Sequence, residues 1–336
     1  MTTGFTPAWW LRGPNVQTLW GKFFRRKTNV ETFVERLFTN DGDFLELHHL
    51  PGRAGKPLLV LLHGLEGSIR SHYIQGLLTE ANRRHWHAAL LVFRSCGNDL
   101  NRTRRFYHSG ETTDLGFALG HLAASFHDSP IVLAGVSLGG NVLLKYMGEQ
   151  GDRISPRIRA AAAVSVPYDL GRAADYIDRG FARVYQQSFL KSLKAKAMAK
   201  IVSFPDIAVP ETIESIRTIR DFDNMVTAPI HGFENADDYY RKSSSLGWID
   251  RVRVPTLLLS AVDDPFLPPQ VLYEVGSLAK QNPSLRVEFS ENGGHVGFVA
   301  GKSPFHARYY MERRVGDFLA HQLNLPESII QNRGRT

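Results

Sequence analysis

Residues 135–139 carry the strongest chemical signal in the sequence. They read G-V-S-L-G, a G-x-S-x-G motif centred on Ser137, between an apolar run at 131–134 and a helical pattern at 141–147. In such a strand–turn–helix the serine begins a helix, where the dipole favours developing negative charge, and the flanking glycines let neighbouring backbone pass closely. The motif therefore predicts Ser137 as a nucleophile; the alternative is a structural serine in a glycine-rich turn.

A serine hydroxyl is a weak nucleophile at neutral pH, so it needs a general base that a carboxylate orients. In enzymes with this motif, the acid and then the histidine follow the serine along the chain. His295 lies in the glycine-rich stretch N-G-G-H-V-G-F, after a predicted strand at 285–289. The other later histidines lie within or beside predicted helices: His231, His306 and His321. The sequence therefore predicts His295 as the base.

Two neighbouring aspartates follow the predicted strand at 256–260. In enzymes with this motif, the acid is usually followed by two residues of any type, then an aliphatic residue and then a proline. Asp264, Leu267 and Pro268 fit this spacing. Asp263 is then a loop-capping carboxylate, although a slip of one residue would exchange the two roles. The prediction is Asp264, with Asp263 as the alternative.

The negative charge that develops on the attacked carbonyl requires two backbone N–H donors. One comes from the residue after the nucleophile, and the other from a loop after an earlier strand. Leu138 is the residue after Ser137, and the run L-L-H-G-L-E-G-S at 61–68 ends a strand with a His-Gly turn. We therefore predict the amides of Leu138 and Leu65 as donors and His63 as a scaffold residue.

These residues must be positioned by an alternation of strands and helices. Short apolar runs alternate with helical patterns, which indicates a largely parallel sheet. The turn at 40–43 predicts that the first two strands form an antiparallel hairpin. We expect an α/β fold with a mostly parallel, eight-stranded sheet flanked by helices. The predicted strands are 31–38, 44–49, 57–62, 88–93, 130–135, 160–166, 256–260 and 285–289, and helix candidates include 113–126, 138–149 and 304–323.

Two segments stand outside this alternation. Residues 167–248 have helical periodicity and no convincing strand, which predicts a cap or lid inserted at the end of the sheet of a single domain, 1–336. Residues 1–30 form an N-terminal arm that mixes aromatic with basic side chains. The arm either packs its aromatic residues on the body of the protein or makes a peripheral contact with a membrane.

Composition excludes several classes of protein. With 336 residues, 43% hydrophobic and 22% charged, the chain is neither disordered nor membrane-spanning. The net charge of +7 is not gathered in one basic run, so nucleic acid is not an expected partner. Cys96 is the only cysteine, which predicts a buried structural thiol. No signal peptide is recognised, so we expect a cytoplasmic protein, and the chemistry requires neither cofactor nor metal.

Taken in order, the motifs resemble the YheT-like branch of the α/β-hydrolase superfamily, carboxylesterases related to eukaryotic lipid-handling α/β-hydrolase-domain proteins. The resemblance implies Ser137, Asp264 and His295 as a triad. One departure is visible, because family members tend to read R-G-C-S-G where this chain has R-S-C-G-N at 94–98. The resemblance is carried by Phe5-Thr6-Pro7, Gln17-Thr18, His63-Gly64-Leu65-Glu66-Gly67-Ser68, Tyr107-His108-Ser109-Gly110, Gly135-Val136-Ser137-Leu138-Gly139-Gly140-Asn141, Asp238-Tyr239-Tyr240, Asp263-Asp264-Pro265-Phe266 and Gly293-Gly294-His295-Val296-Gly297-Phe298.

The expected function is hydrolysis of carboxylic esters, short to medium acyl or lipid-like, through an acyl-enzyme on Ser137. One alternative is an acyltransferase that uses the same triad, and another is a non-catalytic ligand-binding protein on a hydrolase fold.

Overall fold

The computed structural model describes residues 4–26 and 28–325 of the chain. Residues 1–3 and 27 of the predicted arm, and residues 326–336, lie outside the described residues.

The described part of the chain contains an eight-stranded sheet in the order β1-β2-β4-β3-β5-β6-β7-β8. Strand β2 runs antiparallel to both of its neighbours, and the other neighbouring pairs are parallel. The predicted α/β fold with a mostly parallel sheet is therefore confirmed. The strands are β1 Phe33–Phe38, β2 Phe44–Leu50, β3 Leu58–Leu62, β4 His87–Val92, β5 Ile131–Val136, β6 Ile158–Val164, β7 Thr256–Ala261 and β8 Leu285–Ser290.

Helices cover both faces of this sheet, so the central strands are buried. Every residue of β3, β5 and β7 is buried, as parallel strands between two helical layers require. Strand β1 lies at the edge and leaves most of its side chains in solvent. The helices are α1 Pro14–Phe23, α2 His72–Arg83, α3 Thr113–Ser125, α4 Leu138–Gln150, α5 Leu170–Ile177, α6 Ala182–Ile201, α7 Pro210–Ser215, α8 Ile219–Phe222, α9 Ala228–His231, α10 Ala236–Ser243, α11 Pro269–Ala279 and α12 Tyr310–Gln322.

The strand order changes direction at β3. The next strand along the chain, β4, lies on one side of β3, and β5 lies on the other. Open α/β sheets form a crevice at the carboxyl ends of the strands where the order reverses in this way. The predicted nucleophile follows β5 and the His-Gly turn follows β3, so both lie at this crevice.

The segment between β6 and β7 is helical. It contains α5 to α10, joined by a π-helical turn at Asp223–Thr227 and followed by a 3-10 helix at Ser245–Arg251. Its helices bury an apolar cluster of their own, which includes Leu190, Ile213 and Val226. This agrees with the absence of a strand that the sequence pattern predicted for residues 167–248.

The predicted closing helix at 304–323 is wrong in its first turns. Helix α12 begins only at Tyr310, because Arg308–Tyr309 (β10) is extended and pairs antiparallel with Val299–Ala300 (β9). Residues Pro304–His306 form a separate 3-10 turn. The predicted strand 160–166 is displaced by two residues, because β6 spans Ile158–Val164. It ends before Ser165, whose φ of 49° lies in the left-handed region.

The loop at 94–98, which departs from the family pattern, is held by side chains from other segments. Ser95, at the position where the family resemblance leads us to expect glycine, occupies a left-handed conformation with φ 63°, and its N–H donates to the side-chain oxygen of Asn101. A Cβ at Gly97 would lie 2.2 Å from the Glu46 carboxylate, so a larger residue there would displace the end of that side chain. The Ser95 hydroxyl in turn accepts the Asn101 N–H at 3.4 Å, and the glycine of this loop lies two residues later, at Gly97.

The turn between β1 and β2 ends in a buried carboxylate. Asp43 has no exposed side-chain surface and lies 3.0 Å from the Arg94 guanidinium, which is 1% exposed. Burial alone would raise the pKa of Asp43, but hydrogen bonds from Thr103, Arg102 and Asn101 hold that pKa well below its usual range. Asp43 thereby ties the hairpin to the loop after β4.

We expect Asp43→Asn to lower the free energy of unfolding by about 1–3 kcal/mol, because an amide nitrogen cannot accept the buried hydrogen bonds that this carboxylate oxygen accepts. Arg94 keeps its ion pair with Asp114 in this variant. Urea unfolding measures this change. The matched control is Asp99→Asn, whose carboxylate is 62% exposed and pairs with Arg36, and which should lose at most about 1 kcal/mol. Equal losses in the two variants would contradict the prediction.

Candidate active site

Ser137 lies on a strained turn between β5 and α4. Its backbone has φ 54° and ψ −123°, which non-glycine residues rarely adopt. The turn packs against the end of β3 so closely that a Cβ at Gly139 would lie 2.5 Å from the carbonyl oxygen of His63. A Cβ at Gly135 would lie 2.4 Å from the carbonyl oxygen of Gly139. Both motif glycines are therefore required by space as well as by the turn.

The structure brings Ser137, His295 and Asp264 into one hydrogen-bonded line. His295 Nε2 lies 3.0 Å from Ser137 Oγ, and His295 Nδ1 lies 2.8 Å from Asp264 Oδ2. Asp264 is 1% exposed, and its second oxygen accepts the Phe266 N–H at 2.9 Å. The Phe266 ring covers the imidazole at a centroid distance of 4.2 Å. This arrangement can pass a proton from the serine hydroxyl to an imidazole that a carboxylate orients.

Asp263 contacts the histidine loop and not the imidazole. Its Oδ1 accepts the N–H of Gly294 at 2.9 Å, one residue before His295. Burial raises the pKa of Asp263, and the hydrogen bond from Gly294 partly offsets that rise. The geometry thus distinguishes the two aspartates: Asp264 meets the imidazole, and Asp263 caps the loop that carries it.

The N-terminal arm holds the histidine loop from the outside. The His295 N–H donates to Thr18 Oγ1 at 2.9 Å, and the Val299 N–H donates to Gln17 Oε1 at 2.7 Å. A Cβ at Gly294 would lie 2.4 Å from the carbonyl oxygen of Pro14. Spacing arguments missed this role of Thr18, although the motif Gln17-Thr18 was part of the family resemblance.

Most of the arm before α1 packs on the body of the protein, which was one of the two alternatives that the sequence left open for residues 1–30. Phe5, Ala8 and Leu11 are buried, and the Trp10 indole N–H donates to the Gly301 carbonyl at 3.0 Å. Trp9 is an exception, because it remains 68% exposed. No helix within residues 4–26 and 28–325 is long and apolar enough to cross a membrane.

Leu65 and Leu138 both line the cavity above Ser137. Two tyrosine hydroxyls hold the turn around Leu65: Tyr73 accepts the Gly64 N–H, and Tyr107 accepts the Glu66 N–H, each at 2.9 Å. Because hydrogen bonds hold the N–H groups of Gly64 and Glu66, the Leu65 peptide between them has a defined orientation.

His63 acts within the scaffold of the same turn. It is completely buried, with Nδ1 2.7 Å from the Gly64 carbonyl and Nε2 accepting the Phe93 N–H at 3.1 Å. Burial lowers the pKa of His63 to about 4. These contacts agree with the predicted scaffold role and leave neither ring nitrogen for proton transfer at Ser137.

Helix α6 reaches the same turn through Glu66. Lys196 Nζ lies 2.8 Å from Glu66 Oε1, and the Tyr107 hydroxyl donates to that same oxygen at 2.8 Å. The Ser192 hydroxyl donates to the other oxygen. Glu66 adopts φ 54°, a left-handed conformation that costs a non-glycine residue about 1 kcal/mol or more. Side chains from α6 and from the body therefore hold Glu66 in a strained conformation beside Leu65.

A cavity of about 510 Å³ opens over Ser137 and His295. Its wall is largely apolar, and six of the residues that line it from the helical segment are Leu170, Ile177, Phe189, Leu193, Ile219 and Phe222. The carboxylates of Glu66 and Asp223 also line it. Burial raises the pKa of Asp223 to about 6, and the Tyr240 and Thr227 hydroxyls donate to its oxygens at 2.8 Å. The cavity can accommodate an extended apolar chain.

Other residues with reactive side chains lie outside the contact line of Ser137, His295 and Asp264. Burial raises the pKa of the Cys96 thiol to about 12, so it is not an activated nucleophile at neutral pH. Tyr107 and His108 both line the cavity, and Tyr107 also anchors the turn at Glu66. Within the described residues, no group of three or more His, Cys, Asp or Glu side chains is arranged to hold a metal ion.

Comparison with known proteins agrees with this architecture. Residues 57–302 match the family model of the α/β hydrolase fold. The chain belongs to the α/β-hydrolase family. Within that family it is 38% identical to the Escherichia coli protein YheT, to which an esterase activity is ascribed, over 95% of this chain and 94% of that one. It therefore lies in the YheT-like branch, as its motifs predicted.

More distant α/β-hydrolases are also similar. A monoacylglycerol lipase of Saccharomyces cerevisiae is 30% identical over 76% of this chain and 58% of its own length. Among solved structures, the Pyrococcus furiosus esterase Pf2001 superposes with a TM-score of 0.58 at 17% identity, covering 87% of this chain and 93% of that one. The structural likeness supports the fold alone.

Four histidines, of which His63 is buried and the others are half-buried, predict a loss of stability in mild acid. Burial lowers the pKa of each from 6.5, to about 4 or about 3, for His63, His72, His108 and His231. As the pH falls through 6.5, the unfolded chain takes up protons that the folded chain does not accept until near pH 4. The free energy of unfolding should therefore fall between pH 7 and pH 5 by about 1–2 kcal/mol per histidine. The raised pKa of Asp223 opposes this for one group.

Urea unfolding at several pH values measures the loss. His231→Leu should reduce it by about 1–2 kcal/mol, because one depressed pKa is removed. His127→Leu is the matched control, since the His127 side chain is 78% exposed and should leave the pH dependence unchanged. A flat profile between pH 7 and pH 5 would show that these histidines do not govern stability.

Proposed function

We propose that the protein is a serine hydrolase that cleaves carboxylic esters. The observation that supports this most directly is the contact line from Asp264 through His295 to Ser137 at the base of an apolar cavity. Membership of the α/β-hydrolase family and the esterase and lipase names of its relatives support the same class of reaction.

In the proposed reaction, Ser137 Oγ attacks the ester carbonyl while His295 Nε2 accepts its proton. Asp264 holds the imidazole in orientation and stabilises its positive charge. The Leu65 and Leu138 amides donate to the carbonyl oxygen as it becomes negative. His295 then protonates the departing alkoxide, which leaves an acyl group on Ser137. Water, deprotonated by His295, attacks this acyl group and releases the acid.

The cavity favours an ester with an apolar acyl chain. Its apolar wall lies directly over Ser137, so burial of the chain contributes binding energy in proportion to the area removed from water. Relatives named monoacylglycerol lipase and phospholipase ABHD3 act, by their names, on lipid esters. We propose short to medium acyl or lipid-like esters as the substrate class.

Acyl transfer to an alcohol is the second candidate reaction. A Saccharomyces cerevisiae relative, 29% identical over 72% of this chain, is named medium-chain fatty acid ethyl ester synthase/esterase 2. The same acyl-enzyme would serve both outcomes, since the acceptor alone differs. Analysis of products formed in the presence of ethanol or glycerol separates transfer from hydrolysis.

We also infer that residues 167–248 are a lid inserted into a single α/β-hydrolase domain. Its helices α5, α6 and α8 supply one wall of the cavity, and the body supplies Ser137 and His295. Ser192 and Lys196 of α6 contact Glu66, beside a proposed oxyanion donor. A lid with such contacts would affect the chemical step as well as substrate entry.

The two adjacent aspartates provide a sharp test of the catalytic assignment. We expect Asp264→Asn to lower kcat for a p-nitrophenyl ester about 10,000-fold, because the imidazole loses the carboxylate that fixes its tautomer. Asp263→Asn should lower kcat by about tenfold at most, since it disturbs only the loop contact with Gly294. Ser137→Ala should abolish labelling by a fluorophosphonate probe, which the wild type should show.

Several outcomes would overturn this assignment. A wild type that neither labels nor hydrolyses any ester in a chain-length series would indicate a ligand-binding protein. Full activity in Asp264→Asn, or a larger loss in Asp263→Asn, would exchange the proposed roles of the two carboxylates. Thermal unfolding of each variant checks that a loss of rate is not a loss of folded protein.

Lys196 tests the proposed effect of the lid on the oxyanion turn. We expect Lys196→Met to lower kcat about tenfold with little change in KM, because displacing an oxyanion donor costs less than the roughly 100-fold or more of removing one. Lys196→Arg should retain more activity. The matched control is Lys191→Met on the same helix, since Lys191 is exposed and should tolerate the change. Equal kcat values in the two methionine variants would show that the contact of Lys196 with Glu66 does not affect the chemical step.

A further inference from the structure

The N-terminal arm is one of the basic segments of the chain. Residues 1–30 contain five lysines and arginines and no aspartate or glutamate, so their local net charge is +5. Arg25 is engaged with Glu312 and stacks on the Tyr309 ring. Lys22 and Arg26 are exposed, and within residues 4–26 and 28–325 no carboxylate lies at ion-pair distance from either. Two cations of this segment are therefore available to an external partner.

The same segment exposes large apolar side chains. Val16 and Phe23 on helix α1, and Phe24 just after it, are 44%, 64% and 67% exposed. Val16 and Phe23 are seven residues apart and so lie on one side of the helix, whereas Gln17 and Gly21 are buried on the other. Single exposed apolar residues are ordinary, but adjacent ones flanked by unpaired cations form a distinct surface. We call Val16, Lys22, Phe23, Phe24 and Arg26 the α1 surface.

The α1 surface lies beside the mouth of the cavity. Thr18, Leu19 and Lys22, from the same helix, line the cavity that contains Ser137. Helix α1 therefore has one side toward the cavity and another toward solvent. A partner bound to the α1 surface would lie next to the entrance of the cavity.

We propose that the α1 surface docks the protein on an anionic lipid surface. Phe23 and Phe24 would enter the boundary between headgroups and acyl chains, while Lys22 and Arg26 would contact lipid phosphates. This combination of aromatic and basic side chains is typical of peripheral membrane helices. Each cation next to an anionic leaflet contributes about 1 kcal/mol to the free energy of binding, whereas a neutral protein surface would offer it no opposite charge. The proposal goes beyond ester hydrolysis and does not depend on it.

The test is co-sedimentation of the full chain with vesicles. The wild type should bind vesicles of phosphatidylcholine mixed with phosphatidylglycerol, bind pure phosphatidylcholine more weakly, and lose binding as salt is added. Phe23→Ser/Phe24→Ser should bind the anionic vesicles at least about tenfold more weakly, because two large apolar side chains no longer leave water. Arg26→Gln should bind about fivefold more weakly and with less dependence on salt.

The matched control is Phe38→Ser, which changes a phenylalanine of similar exposure, 65%, on strand β1 at the sheet edge. It should bind the anionic vesicles as the wild type does. Hydrolysis of a water-soluble ester by Phe23→Ser/Phe24→Ser should be unchanged, since neither side chain contacts Ser137, Asp264 or His295. That activity also shows that the variant is folded, and its absence from the wild type would contradict only the proposed function.

Three results would overturn the proposal. The first is that the wild type fails to sediment with anionic vesicles, and the second is that the double serine variant sediments with them as well as the wild type does. In the third, light scattering shows a dimer that the double substitution dissociates while vesicles bind neither protein, which would assign the α1 surface to a contact between copies of the chain.

Discussion

The close approach of the turn at 135–139 to the end of strand β3 is the constraint on which the site depends. With a Cβ at Gly139 the turn would collide with the His63 carbonyl, so the two segments meet only through glycine. This contact places Ser137 beside the turn that carries Leu65. It also requires the left-handed backbone of Ser137, whose strain the surrounding sheet and helix α4 absorb. The proposed nucleophile and a proposed oxyanion donor are thus brought together by one backbone contact.

The remaining parts of the site are held to this contact by segments that are distant along the chain. Thr18 fixes the backbone of His295 across 277 residues, and Lys196 reaches Glu66 across 130 residues. Both contacts act on the residue next to a functional group or on its backbone, not on the reacting atoms. Loops that carry functional side chains are mobile unless such contacts hold them. The arm and helix α6 therefore rigidify the two loops that the sheet alone leaves unsupported.

Local spacing in the sequence predicted the three residues that meet, because each lies in the turn or loop that follows a strand. Strands of a parallel sheet end at one edge, so Ser137, Asp264 and His295 converge once the strand order is known. Spacing favoured Asp264 but left Asp263 as an alternative, since a shift of the loop by one residue requires no change in either strand. The start of helix α12 was also missed, because the pairing of Arg308–Tyr309 with Val299–Ala300 is a tertiary contact. The contacts of Thr18 and Lys196 leave no periodic pattern to read.

Helix α1 connects these observations, because it contacts the histidine loop, lines the cavity and faces solvent at the same time. Thr18 and Gln17 bind the loop through polar groups, so the inner side of the helix is specified by hydrogen bonds. The outer side has no such partners, yet it carries phenylalanines and cations in place of the polar residues that solvent alone would favour. A helix selected only to support His295 would need no apolar outer side. The exposed aromatic residues therefore call for a second role, and the charge of the arm indicates an anionic surface.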